Sequence, residues 1–323
     1  MYNVIGKINF ILLIYGCEWD MNNYNREDIS GYCYVDYHNP MAVWNIARGA
    51  FDSPAMIENG NVPLLSMNFA GLLGNQNANR LISELSLDSF RQTHYPNCVS
   101  RLRGIFIFDD QESIFRFWEK NDWGQHFRDE YFTSIGASTY KSTVLDSSWI
   151  SNIFNIDGSL KDDWEQYAHG YWSGQAYNNS PIWERIIEGT ITIWDQDACI
   201  NAVQEVSSMW ENSALLLHYA CACAAYGSND GQVFPHLMRD NESYTMQFAF
   251  KAEHIHDGEF IRRIMENLNT MPSIDTGIVY PVNNETANLP DLSGFGTTFS
   301  SAPNDSFNVL ANILNEAYRD DNI

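Results

Sequence analysis

Residues Pro181–Ile193 read PIWERIIEGTITI. Isoleucine and threonine dominate the stretch, and such β-branched residues pack well on a pleated surface. The pattern predicts two strand segments, Trp183–Ile187 and Thr190–Trp194, either side of a Glu188–Gly189 turn. Upstream lie a helix over Leu160–Tyr171, the tetrapeptide YWSG at Tyr171–Gly174, and a polar loop to Ser180. Glu184 therefore opens an apolar strand directly after an aromatic residue. A carboxylate held rigidly there suits the breaking of a glycosidic bond, where positive charge develops on a sugar ring as the leaving group departs. The alternative is an edge-strand charge facing water.

A second informative stretch is Phe90–Asp109, FRQTHYPNCVSRLRGIFIFD. It predicts the end of a helix over Asn79–Thr93, a turn, and a buried strand over Arg103–Phe108 stopped by Asp109 and Asp110. An amphipathic helix over Ser113–Lys120 follows. Arg101 stands just before the strand and Arg103 opens it. An arginine there can grip a pyrophosphate with two parallel hydrogen bonds, and Ser100 adds a hydroxyl. The alternative is a salt bridge to one of many acidic neighbours.

Earlier in the chain, Gly31–His38, GYCYVDYH, has strand character, and Met41–Ala47 recurs at helical spacing before Gly49. Beyond Asp195 the pattern predicts helices over Ala198–Tyr226, Tyr244–Leu268 and Phe307–Arg319. A span rich in Pro, Asn and Gly fills Met271–Pro303. The apolar run Ile8–Cys17 is too short to span a bilayer and reads as a strand or short helix. A lipoprotein-like signal, with Tyr15 bulky beside the cleavage position, and a natural start nearer Met21 are the other readings.

Composition bounds the partners. Eighteen basic against forty-one acidic residues give a formal charge of −23, which repels polyanions at long range and argues against a broad basic footprint on nucleic acid. The six cysteines include no CxxC pair, so the chain reads as a thiol-containing protein of a reducing cytoplasm. Cys221 and Cys223 fall in an apolar helical run as buried thiols. His254, His256 and Asp257 resemble a ligand cluster, but read as a polar helix face with nothing to complete a metal shell. No phosphate-binding glycine loop or nucleophile elbow occurs.

Taken in order, the Phe90 helix, HYPNCVSR, GIFIFDD with its following helix, and YWSG…PIWERIIEGTITI resemble a family of bacterial proteins with the ADP-ribosyltransferase fold. The family is related in architecture to the DarT-type nucleic-acid ADP-ribosyltransferases. The resemblance covers about residues 30–196. It implies an α+β fold, with an ADP-ribosyltransferase-like split, curved β-sheet core holding NAD⁺ in its cleft. With that core the expected organisation is an N-terminal extension over 1–29, a catalytic domain over 30–196, and a mainly helical C-terminal region over 197–323 for target or antitoxin contact.

Carried onto this chain, the resemblance makes Glu184, Tyr34 and Ser100 catalytic candidates, and Arg101, His38 and Tyr171 candidates for binding NAD⁺. Tyr34 departs from the family, which carries His or Arg at that point, and His38 is the nearby substitute. The implied activity is transfer of ADP-ribose from NAD⁺ to RNA, DNA or protein by a cytoplasmic, toxin-like effector of bacterial or phage conflict, with no membrane partner. The alternatives are NAD⁺ hydrolysis or action on an RNA 2′-phosphate by the same fold, or a catalytically silent protein-binding module.

Overall fold

The computed structural model describes residues 26–57, 64–120, 128–240, 243–270 and 288–300. Its first sheet has five strands, all paired antiparallel: β1 (Glu27–Tyr34), β2 (Ala50–Asp52), β3 (Ile105–Ile107), β4 (Phe132–Asp146) and β5 (Trp183–Ile193). β4 lies between β1 and β5. On its other edge β5 carries two short strands in succession. β3 pairs at Arg185–Ile187 and β2 at Thr190–Thr192, so the sheet is split beside Glu188 and Gly189.

The sheet also bends round on itself. Beyond β3, Phe108 exchanges two 2.8 Å backbone hydrogen bonds with Tyr32 of β1, on the edge of β1 that faces away from β4. Gly31 permits this approach, because a Cβ there would sit 2.6 Å from the Phe108 carbonyl oxygen. A register shift in β4 between Thr139 and Lys141 adds local twist.

The two largest apolar cores among the described residues flank the sheet. One gathers Val43, Trp44 and Ala47 of α1 (Pro40–Arg48) with Ile187, Ile191 and Ile193 of β5. Val203 and Val206 of α7 (Gln196–Met209) and Leu216 and Leu217 of α8 (Ala214–Ala225) complete it. The other packs Leu87 and Phe90 of α3 (Ala78–His94) and Tyr171 and Trp172 of α6 (Trp164–Trp172) against Leu145 and Ile186. Among the described residues the remaining α-helices are α2 (Met67–Gly74), α4 (Gln111–Glu119), α5 (Ile150–Ile153) and α9 (Gly258–Thr270).

The expectation of mixed α+β architecture holds, but several finer expectations are corrected. β5 is one continuous strand, not two segments about a turn. Gly189 is there for close packing, since a Cβ would lie 2.3 Å from the Ser138 carbonyl oxygen of β4. The run expected as one helix over Ala198–Tyr226 breaks at Trp210 into α7 and α8. The described residues after 196 carry strands beside their helices. A three-stranded antiparallel sheet, β6 (Val233–Asp240), β7 (Ser243–Phe250) and β8 (Thr297–Ser300), occupies part of it. β7 replaces the first turns of the helix expected from Tyr244, because Met246 and Phe248 are buried around an exposed Gln247, a period of two. The run Ile8–Cys17 and the helix expected over Phe307–Arg319 lie outside the described residues.

Candidate functional site

At the heart of the second core a guanidinium is shared between two carboxylates. α3 is capped by Asn77, whose side chain accepts a hydrogen bond from Arg80 N. Residues four apart then share one face of that helix, so Arg80 Nη2 reaches Glu84 Oε1 at 2.9 Å. The turn after α3 delivers Arg101 to the same carboxylate, with Nε 3.2 Å from Glu84 Oε2 and Nη2 3.5 Å from Oε1. On its other side Arg101 Nη1 donates to Glu184 Oε1 at 3.1 Å and to the Tyr171 hydroxyl at 2.5 Å. That hydroxyl in turn donates to the same Glu184 oxygen at 2.6 Å. Arg101 also lies over the rings of Phe106 and Tyr171.

Glu84 and Glu184 are both buried, yet their acidities diverge. Burial pushes the Glu84 carboxyl up, but the guanidiniums of Arg101 and Arg80 outweigh it and hold the group below the usual range. For Glu184 burial wins. Its carboxyl is raised despite Arg101 and the Tyr171 hydrogen bond, and Glu84 and Asp146 add to the rise. Burial likewise raises Tyr171 far above a free phenol, so it stays a neutral donor. The carboxylates raise Arg101 further above its ordinary value, although burial opposes them.

Beside this network lies a cavity of about 870 Å³, within the ~300–1,000 Å³ range of small-molecule sites. Arg80, Arg101 and Glu184 line one part of it with Phe106, Ser147 and Phe154. Asp52, Gln232 and Phe234 line another. Glu184 Oε1 holds both Arg101 and Tyr171, while Oε2 accepts no hydrogen bond among the described residues and is the oxygen left for the cavity. The Gln232 and Asn45 amides are spent on the backbones of Asp52 and Val233. That part of the wall therefore presents chiefly apolar surface and the Asp52 side chain, which takes a hydrogen bond from Thr190.

Glu184 is therefore buried beside the cavity, not an edge charge facing water. Tyr34, Arg101 and Glu184 meet on the one cavity. Tyr34 packs edge-on against Tyr131 and Phe132, and burial, ahead of nearby Asp36, pushes its phenol up to about 12. Tyr171 is fully buried behind Glu184 and buttresses it without lining the cavity. Ser100 is turned the other way. Its hydroxyl donates to Asp88 Oδ1 at 2.7 Å and accepts from Leu102 N, which fixes the turn that carries Arg101. His38 stands half-exposed off the cavity, its Nδ1 3.2 Å from Glu205 of α7.

Arg80 and Glu84 were not among the expected site residues. The i, i+4 spacing of Arg80, Glu84 and Asp88 on a helix was the signal that could have found them. His254 lies in the bend before α9, not on a helix face. Its ligand atom clusters with those of Asp230 and Glu253. The Asp230 carboxylate, however, already accepts from Tyr219 and from the backbone N–H groups of Glu253 and His254. Among the described residues no helix is long and apolar enough to cross a membrane.

A family model described as "Protein of unknown function (DUF2441)" matches residues 12–199. The chain belongs to the DUF2441 family. No curated protein matches it. The DUF2441 match takes in Arg80, Glu84, Arg101, Tyr171 and Glu184, whereas the cavity wall contributed by Gln232 and Phe234 falls beyond it.

Proposed function

We propose that this DUF2441 protein transfers ADP-ribose from NAD⁺ to a macromolecular acceptor, RNA, DNA or protein, as a toxin-like effector. The observation that carries the reading is the meeting of Tyr34, Arg101 and a buried, buttressed Glu184 on one ligand-sized cavity. In the reaction the bond between the ribose carbon and the nicotinamide nitrogen breaks, and nicotinamide leaves with the electron pair. The acceptor's nucleophile then bonds to that carbon. Glu184, as the carboxylate, stabilises the positive charge on the ribose ring through its open Oε2 or draws the proton from the acceptor. Tyr171 keeps Oε1 in place, Arg101 offers its charge to the phosphates, and the Tyr34 ring packs against the adenosine ribose. The part of the cavity walled by Gln232 and Phe234 brings residues beyond 196 to the site, and the rest of that region is assigned to target or antitoxin contact.

A silent binding module is the second reading, favoured by one specific feature: Arg101 and Tyr171 already satisfy Oε1, as in a structural ion pair. Incubation with labelled NAD⁺ and cell lysate separates the readings. The wild type is expected to label one class of macromolecule, and Glu184→Gln to lose about 100-fold or more of that labelling. Free labelled ADP-ribose alone would indicate hydrolysis. Equal labelling by both forms would remove Glu184 from the chemistry, and no turnover at all would leave the silent module.

A further inference from the structure

Arg101 has a planar guanidinium, so fixing one edge of it fixes the direction of the other. Its Nε edge is fixed by Glu84, and its Nη1 corner is the one that reaches Tyr171 and Glu184. We propose that Glu84 is the positioning residue of the site: it anchors Arg101 from behind, so that Arg101 and Tyr171 share a single oxygen of Glu184 and the other oxygen stays open to the cavity. The catalytic consequence rests on the proposed function, whereas the anchoring does not.

The surroundings of Glu84 suit this task. It is more deeply buried than Glu184, on a helix held by the Asn77 cap and by Leu81, Leu85 and Leu87. Its second partner, Arg80, lies 3.6 Å from the centre of the Phe154 ring, which fixes that guanidinium too. Four charged or titratable groups face Glu184 from the packed elements: Arg101 from its turn, Tyr171 from α6, Glu84 from α3 and Asp146 from β4. Asp146 is committed to the backbone N–H groups of Ser148, Tyr177 and Ile182. Glu84 is thus the group whose charge sets how much of Arg101 falls to Glu184. Neutralising it removes the charge that holds the Nε edge of Arg101. Arg101 is then free to turn its whole edge onto Glu184 and to cover Oε2.

The test follows the Glu184 carboxyl itself, by ¹³C NMR of protein labelled at the glutamate carboxyl carbon, with its signal assigned by its loss in Glu184→Gln. In Glu84→Gln the Glu184 midpoint is expected to fall by about half a pH unit or more. NAD⁺ turnover should lose about tenfold in kcat with KM changed less than about threefold. Glu84→Asp keeps the charge but draws it back from Arg101, so a smaller shift of the same sign is expected. It is the variant to read if Glu84→Gln does not fold. An unmoved midpoint in a folded variant would overturn the positioning role. Absence of NAD⁺ turnover in the wild type would instead overturn the proposed function, while the titration still decides the role of Glu84.

Discussion

Glu184 makes folding harder near neutral pH, and its partner network makes folding easier. Its folded-state carboxyl titrates above the ordinary value of 4.5, so between those two values the native state binds more protons than the unfolded chain. Stability from this group therefore falls as pH rises through that window. Glu84 has the opposite sign, because its folded value is lowered. Its contribution is present above 4.5 and is lost as pH falls through the lowered value. Thermal melts from pH 4.5 to 7.5 are expected to show Glu184→Gln gaining on the wild type as pH rises, while the deficit of Glu84→Gln stays nearly constant there and shrinks only below 4.5. The reverse trend for Glu184→Gln would mean that the carboxylate is stabilised in its charged form. Glu184 and Arg101 are legible in the sequence as polar groups at the start of apolar strands, and both line the cavity, whereas Tyr171, expected to bind NAD⁺, is buried behind Glu184. Ser100 and His38 were placed less well. Their partners, Asp88 and Glu205, come from elsewhere in the fold, and a linear pattern does not reveal a neighbour twelve or more residues away.

Among the elements, the edge of β5 shared by β3 and β2 decides where a cavity can open, and the Tyr32–Phe108 bridge holds the sheet curved. Gly31→Ala drives a methyl into the Phe108 carbonyl. The variant is expected to lose about 1–3 kcal/mol, read as a lower urea midpoint. An unchanged midpoint would show that the bridge does not hold the curve. The helices α1, α3, α4 and α6 were readable from their spacing and polar ends, since a local period sets each of them. The sequence does not mark out strand β4, the longest strand among the described residues. Its sequence FTSIGASTYKSTVLD carries Ser, Thr and Lys through its length, and only pairing on both edges makes it a strand. β6 and β7 eluded the sequence for a related reason: apolar residues spaced closely fit either period until a partner strand selects one.

For the whole molecule, the boundary expected near residue 196 does not separate two cores. Side chains from α1 and β5 pack with those of α7, α8, β6 and β7 in one apolar cluster. Trp44 Nε1 donates to the Gly231 carbonyl at 2.8 Å, and the Asn45 amide exchanges hydrogen bonds with both backbone groups of Val233. The C-terminal residues thus form part of the cavity wall as well as of the core, and the formal charge of −23 surrounds both. That field disfavours a broad nucleic-acid footprint and leaves a focused contact, or a protein acceptor, as the electrostatically easier target. The proposed reaction breaks the nicotinamide–ribose bond in this cavity with Glu184 as its carboxylate. Chromatographic measurement of nicotinamide released from NAD⁺ in the presence of lysate tests it most directly. The wild type is expected to release nicotinamide steadily and Glu184→Gln at least about 100-fold less; release at the same rate from both proteins, or from neither, would overturn that reaction.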